Sequence, residues 1–273
     1  MDNSFLKNIK NIEIDSKHRE LQENVESFLT LPDRIGATNE DKNLPKDLGK
    51  FLVERDFIKG VDVWRGSWGF KYNSEDKKIS IAENEMSKEN YDYYIFRLGL
   101  GNNGESLFPK YGIETDQYRF LHEAGHAYQS YLVKNESSVL NIDPMSWYNE
   151  SIKGEDNSTF SMLFNLCYKI RSVNENRGLS TWGNVPDYNA IDGSSNRIAM
   201  RALEDANELV VMKLWHPKYL ETFLDYVSLK INGCNESNLE SDRLVKLGEN
   251  TKSNIKEIID LYIEEMKHEI NKK

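Results

Sequence analysis

Apolar and polar positions along the chain fall into three regimes. Across 16–31, Leu21, Val25, Phe28 and Leu29 recur at helical spacing, and Pro32 stops the pattern. Residues 33–50 are polar, with Pro45 and several Asp and Lys, and predict a loop with one short helix at most. Period two follows. Val61, Val63, Trp68, Phe70 and Tyr72 alternate with other residues, Asn73-Ser74-Glu75-Asp76 supplies a turn, and Ile79 and Ile81 resume the alternation. That pattern predicts a hairpin. Tyr93 to Leu100 is a further strand candidate, closed by Gly101-Asn102-Asn103-Gly104.

From Asp116 onward the period becomes helical, over 116–134, 158–171, 197–215, 217–231 and 251–271. In the last segment Ile255, Ile258, Ile259, Tyr262, Met266 and Ile270 form one stripe. The polar stretch 172–196 is long for a plain connection, which predicts a functional loop. The whole pattern predicts an α+β chain: a small twisted, mostly antiparallel sheet in the N-terminal half and a helical C-terminal half. One domain over 1–273 is expected, with a helix-plus-sheet part at 1–115 and a helical part at 116–273.

Composition narrows what such a chain can bind. The 273 residues carry 35 basic and 45 acidic side chains, a net charge of −10, with no Lys/Arg-rich run. Nucleic acid is therefore not expected as a partner, because neutralising phosphates requires clustered positive charge. The 11 Phe, 14 Tyr and 5 Trp are too many for a chain that never packs. No stretch approaches the roughly 18 apolar residues of a membrane span. The first residues have no apolar core of a signal peptide, and there are only 2 Cys. Both observations predict a cytoplasmic protein without a disulfide framework.

The chemistry concentrates in one string, Phe120-Leu121-His122-Glu123-Ala124-Gly125-His126-Ala127-Tyr128-Gln129. It contains His-Glu-x-x-His. Positions four apart share a helix face, so both imidazoles can reach one ion. Neutral imidazole binds zinc and leaves the centre positive, and that charge lowers the pKa of a coordinated water to about 7. Glu123 follows His122 by about 100° around the helix. It can approach that water without binding the ion, take its proton and hand it to a leaving amine. With 5 His in the chain, composition alone produces this motif in roughly one such chain per hundred.

The motif resembles that of the zincin metallopeptidases. The string from His122 to Leu132, HEAGHAYQSYL, is similar to the active-site helix of some thimet-type oligoendopeptidases, over about a dozen residues. The zincin resemblance implies a peptidase with one zinc ion, His122 and His126 as ligands and Glu123 as general base and acid. A catalytic zinc usually has three protein ligands. The metzincin extension is absent, since Gln129 and Leu132 stand at its positions, and the other histidines, His18, His216 and His268, are remote in sequence. A carboxylate is the better third ligand, as in the gluzincin branch.

The helix 197–215 is the best host for it. Stepping by about 100° per residue from Leu203 puts Glu204 at the margin of an apolar arc, Glu208 one turn on, and Asp205 in solvent. By the gluzincin resemblance Glu204 is the ligand and Glu208 the second carboxylate, which holds the first motif histidine, His122, through its other ring nitrogen. Glu rather than Asp at 208 departs from the thermolysin pattern and resembles lethal-factor-like members. Glu150, 24 residues after His126, is the rival ligand and is closer to the oligopeptidase spacing.

The oxyanion of a tetrahedral intermediate needs a donor. Tyr188 is the chosen candidate, with Tyr148, Tyr219 and His216 behind it. The zincin resemblance also implies that a peptide or protein substrate lies against an edge strand, here 61–72 or 79–82, with Trp64 and Trp68 lining a subsite. The expected activity is zinc-dependent hydrolysis of peptide bonds. The alternative is a zinc-binding, non-catalytic interaction or regulatory protein of the same fold.

Overall fold

The structure is a computed structural model and describes residues 18–31, 41–64, 70–82, 113–135, 159–175, 195–218, 220–221, 224 and 241–272. The chain gathers into two compact units. One comprises Met1–Tyr91 with Pro109–Asn141, the other Asp92–Phe108 with Ile142–Lys273. Among the described residues the architecture is mixed α/β and mostly helical, with six helices and a three-stranded sheet.

The first unit begins with helix α1, His18–Phe28, whose Leu21, Val25, Phe28 and neighbouring Leu29 are buried at the predicted spacing. Helix α2, Leu44–Glu54, runs well beyond the short element expected within 33–50. Pro45 lies in its first turn, where a missing N–H costs nothing because that donor has no intrahelical partner. Leu44, Leu48, Phe51, Leu52 and Val53 make its buried face. Gly49 lets α1 approach closely: a Cβ there would lie 2.6 Å from Leu29 Cδ1 and 2.9 Å from Val25 Cγ1.

Helix α2 closes on a Schellman motif. Phe57 N–H donates to the Leu52 carbonyl at 2.8 Å and Asp56 N–H to that of Val53 at 3.1 Å. Asp56 takes the left-handed position at φ 60°, and Phe57 is buried behind it.

Strands β1 (Gly60–Trp64), β2 (Phe70–Asn73) and β3 (Lys78–Ala82) form one sheet in the order β1-β3-β2. The β2–β3 pair is the predicted hairpin. Its register sets Phe70 opposite Ile81 and Tyr72 opposite Ile79, and Glu75 N–H donates to Asn73 Oδ1 at 3.0 Å in the turn.

Two expectations fail here. Among the described strands the sheet is not mostly antiparallel, because β1 runs parallel to β3, from Gly60 beside Lys78 to Trp64 beside Ala82. Nor is 79–82 an edge, since β3 is central among the described strands. Alternation of apolar residues shows which face a strand buries. It does not show which neighbour the strand pairs with or in which direction.

Val61, Ile79 and Ile81 bury one face of the sheet. Helix α3, Ile113–Asn135, packs against β2 and β3. The Arg119 guanidinium stands 4.4 Å from the Phe70 ring centroid and pairs with Asp116 at 3.2 Å. Phe120 stacks on Phe28 with centroids 4.5 Å apart. Tyr131 meets Phe51 and Phe57 edge-on at 4.9 and 5.4 Å. These contacts fix the roll of α3 about its own axis.

The second unit holds α4 (Thr159–Glu175), α5 (Ser195–Trp215) and α6 (Ser241–Asn271), with α4 against both others. Ile255, Ile259, Tyr262 and Met266 of the predicted stripe are buried, with Ile263, while Ile258 and Ile270 are half-buried. Phe160 meets Tyr262 at 6.0 Å, the Thr159 hydroxyl donates to Glu265, and Lys213 pairs with Asp260 at 2.7 Å. Within the segment 217–231, residues 217, 218, 220, 221 and 224 are helical. Its remainder, the strand candidate 93–100 and most of the loop 172–196 lie outside the described residues. No helix among the described residues is long and apolar enough to cross a membrane.

Candidate metal centre

The motif helix shows its polar residues on a narrow front. Tyr118, Phe120, Leu121, Ala124, Ala127, Tyr128 and Tyr131 of α3 are buried, while His122 and His126 are half-buried. The two imidazoles converge. Their Nε2 atoms stand 3.1 Å apart and their rings cross at 83°, centroids 4.8 Å apart. Two ligands of one tetrahedral zinc, each about 2.0–2.1 Å from it, stand roughly 3.3 Å from each other. The pair as placed is therefore close to the geometry one ion requires.

Two of the motif's other polar groups have a holder in the same unit. His126 Nδ1 lies 2.9 Å from Gln129 Oε1, and Gln129 is itself buried. Glu123 is also buried, and its Oε2 accepts the Tyr72 backbone N–H at 2.6 Å. Tyr72 is on β2, whose outer side has no strand beside it among the described residues. The outward-facing N–H of an edge strand is thus capped by the motif carboxylate, a charge-assisted bond that orients Glu123.

Tyr72 is anchored at its other end too, where its hydroxyl donates to the Phe57 carbonyl at 2.9 Å. Burial pushes its phenol up to about 12, against the lowering effect of the Ser130 hydroxyl. Trp64, the described member of the proposed subsite pair, has the Lys71 ammonium 4.9 Å from its ring centroid.

On α5, Glu204 is exposed and Glu208 half-buried. The helical projection puts Asp205 in solvent, and the structure overturns that: Asp205 is only 6% exposed and Asn207 only 3%. Ala202, Ala206, Leu209, Val210, Val211, Met212, Leu214 and Trp215 are buried as well, so α5 is covered nearly all round and has no single apolar arc. Glu204 and Glu208 sit on what remains open. His216, just beyond α5, is half-buried. Glu150, Tyr148, Tyr188, Tyr219 and Trp68 lie outside the described residues.

Two groups were not among the predicted site residues. Gln129 carries a readable signal, since it follows His126 by three positions and so shares its helix face. The Tyr72 amide carries none, because any non-proline residue there offers the same N–H. No family model, curated protein or solved structure matches the chain.

Proposed function

We propose that the protein is a zinc-dependent peptidase of the zincin type, with His122, His126 and Glu204 as the donor set for one ion. The observation that carries this reading is the convergence of the two Nε2 atoms, 3.1 Å apart, with a buried carboxylate between them in sequence. Two imidazoles and a carboxylate leave a dication with net positive charge, which suits zinc in a hydrolytic role. When bound, zinc supplies a Lewis acid that acidifies water and polarises the scissile carbonyl.

The remaining steps fall to side chains. Glu123 keeps Oε2 on the Tyr72 amide and uses its other oxygen to take a proton from the attacking water. It then delivers that proton to the leaving nitrogen. Glu204 supplies the third ligand from the open stripe of α5, Glu208 holds a motif imidazole, and Tyr188 donates to the oxyanion. Peptides or proteins are the substrates.

Two experiments test this reading. Metal analysis of the purified protein is expected to find one zinc per chain, reduced by Glu204→Ala and not by Glu150→Ala. Glu123→Gln is expected to keep its zinc and to lose about 10²–10⁴-fold in peptide cleavage. A chain without stoichiometric zinc defeats the proposal.

One observation favours a second reading, a zinc-binding protein that does not cleave peptides. Glu123 is buried and bonded to β2, as a strut between helix and sheet would be. On that reading wild type and Glu123→Gln show the same background turnover on a broad peptide library.

A further inference from the structure

We infer that Gln129 is a positioning residue for metal capture: its amide oxygen accepts the His126 Nδ1–H and so turns the Nε2 lone pair toward the ion. The inference rests on the reading of His122 and His126 as ligands and adds to it a group that the motif does not contain.

The argument begins with the proton count of imidazole. A neutral ring carries one N–H and one lone pair, and only the lone pair binds metal. Left to itself the ring interconverts between two tautomers, one of which places the proton on Nε2 and blocks the ligand position. His126 Nε2 is the nitrogen that faces His122 Nε2, so the capture-competent tautomer is Nδ1–H. An acceptor at Nδ1 selects that tautomer, and Gln129 Oε1 stands there at 2.9 Å.

The position of Gln129 suits this task. It lies three residues after His126 on the same helix, so its direction is set by α3 itself and not by a mobile loop. It is only 6% exposed, which limits competition from water for the Nδ1 proton. Its neutrality matters too. A carboxylate at this place would raise the basicity of the ring further and put more electron density on the ion. An amide fixes the tautomer without adding a negative charge beside the ion. Oriented the other way, the same amide would donate to Nδ1 and force the blocking tautomer, so the inference makes a definite claim about which amide atom faces the ring.

Two substitutions of similar volume separate positioning from packing. Gln129→Met keeps the bulk and removes the acceptor; Gln129→Glu keeps both. Long-range ¹H–¹⁵N NMR on the metal-free full chain is expected to find His126 as Nδ1–H in wild type and Gln129→Glu, and mixed or Nε2–H in Gln129→Met. In chelator competition with zinc alone, Gln129→Met is expected to bind about 10–100-fold more weakly than wild type. Gln129→Glu is expected to bind at least as tightly as wild type. Far-UV circular dichroism on all three confirms that helix content is kept.

The inference is overturned if wild-type His126 is Nε2–H, or if Gln129→Met keeps both the tautomer and the affinity. It is also overturned if Met is tolerated and Glu is not, the pattern of a packing residue. Failure of wild type to bind zinc at all defeats the metal reading itself and is seen separately, in the wild-type titration.

Discussion

Helices α3 and α5 are both long and mostly buried, yet they treat their polar side chains differently. In α3 the polar groups that matter are tied down within the first unit: Glu123 by the Tyr72 amide and His126 by Gln129. In α5 burial is so general that Asp205 and Asn207 are buried with the apolar residues. Glu204 is left on the open side. One helix has its motif side chains oriented by specific bonds. The other is buried on most sides and leaves Glu204 exposed. The comparison separates two ways in which a long helix carries polar side chains, each with its own mutational signature.

The largest expected effect tests the scaffold of α3. Phe120 is fully buried and stacked on Phe28, so Phe120→Ala is expected to cost about 3–5 kcal/mol in urea unfolding. A loss under about 1 kcal/mol would mean that this stack does not hold α3. Next come the neighbours on α5. Asp205→Ala is expected to destabilise by about 1–3 kcal/mol, because the change disrupts a buried polar site. Glu204→Ala is expected to stay within about 0.5 kcal/mol while still lowering zinc affinity. Equal costs for the two would dissolve the contrast between covered and open faces.

A pH-dependent effect concerns Tyr72. Its phenol titrates at about 12 in the fold and near 10 in an unfolded chain. The folded state therefore holds its proton where the unfolded state has lost it, and stability falls as pH rises from about 10 to about 12. Discounted for the part of the group that solvent screens, the loss is roughly 1 kcal/mol. Tyr72→Phe is expected to remove that slope in alkaline denaturation curves. A slope that survives the substitution would assign it to another group.

These contrasts also explain which parts the sequence revealed. The His122/His126 convergence depends on residues four apart in one helix, and that geometry is local. The stripes of α1 and α6 and the turn of the β2–β3 hairpin are local in the same sense. The projection puts Asp205 in solvent because it assumes one buried face, and α5 is buried on several sides. Strand β1 was read as part of a hairpin arm because Val61 and Val63 share the alternation of β2, and alternation does not encode pairing partner. Helix α2 is longer than the pattern predicts because Pro45, a helix breaker in the interior, stands in its first turn. Glu123 is legible as a member of the motif, but its bond to Tyr72 belongs to backbone geometry that no residue type announces.

That bond has a consequence for observation. An outward amide on an edge strand ordinarily exchanges its hydrogen with solvent quickly. At Tyr72 the rate depends on whether the Glu123 carboxylate stays in place, so the exchange of one backbone proton reports on the motif from outside it. A ligand or substitution that draws Glu123 away registers there as lost protection, with no need for turnover.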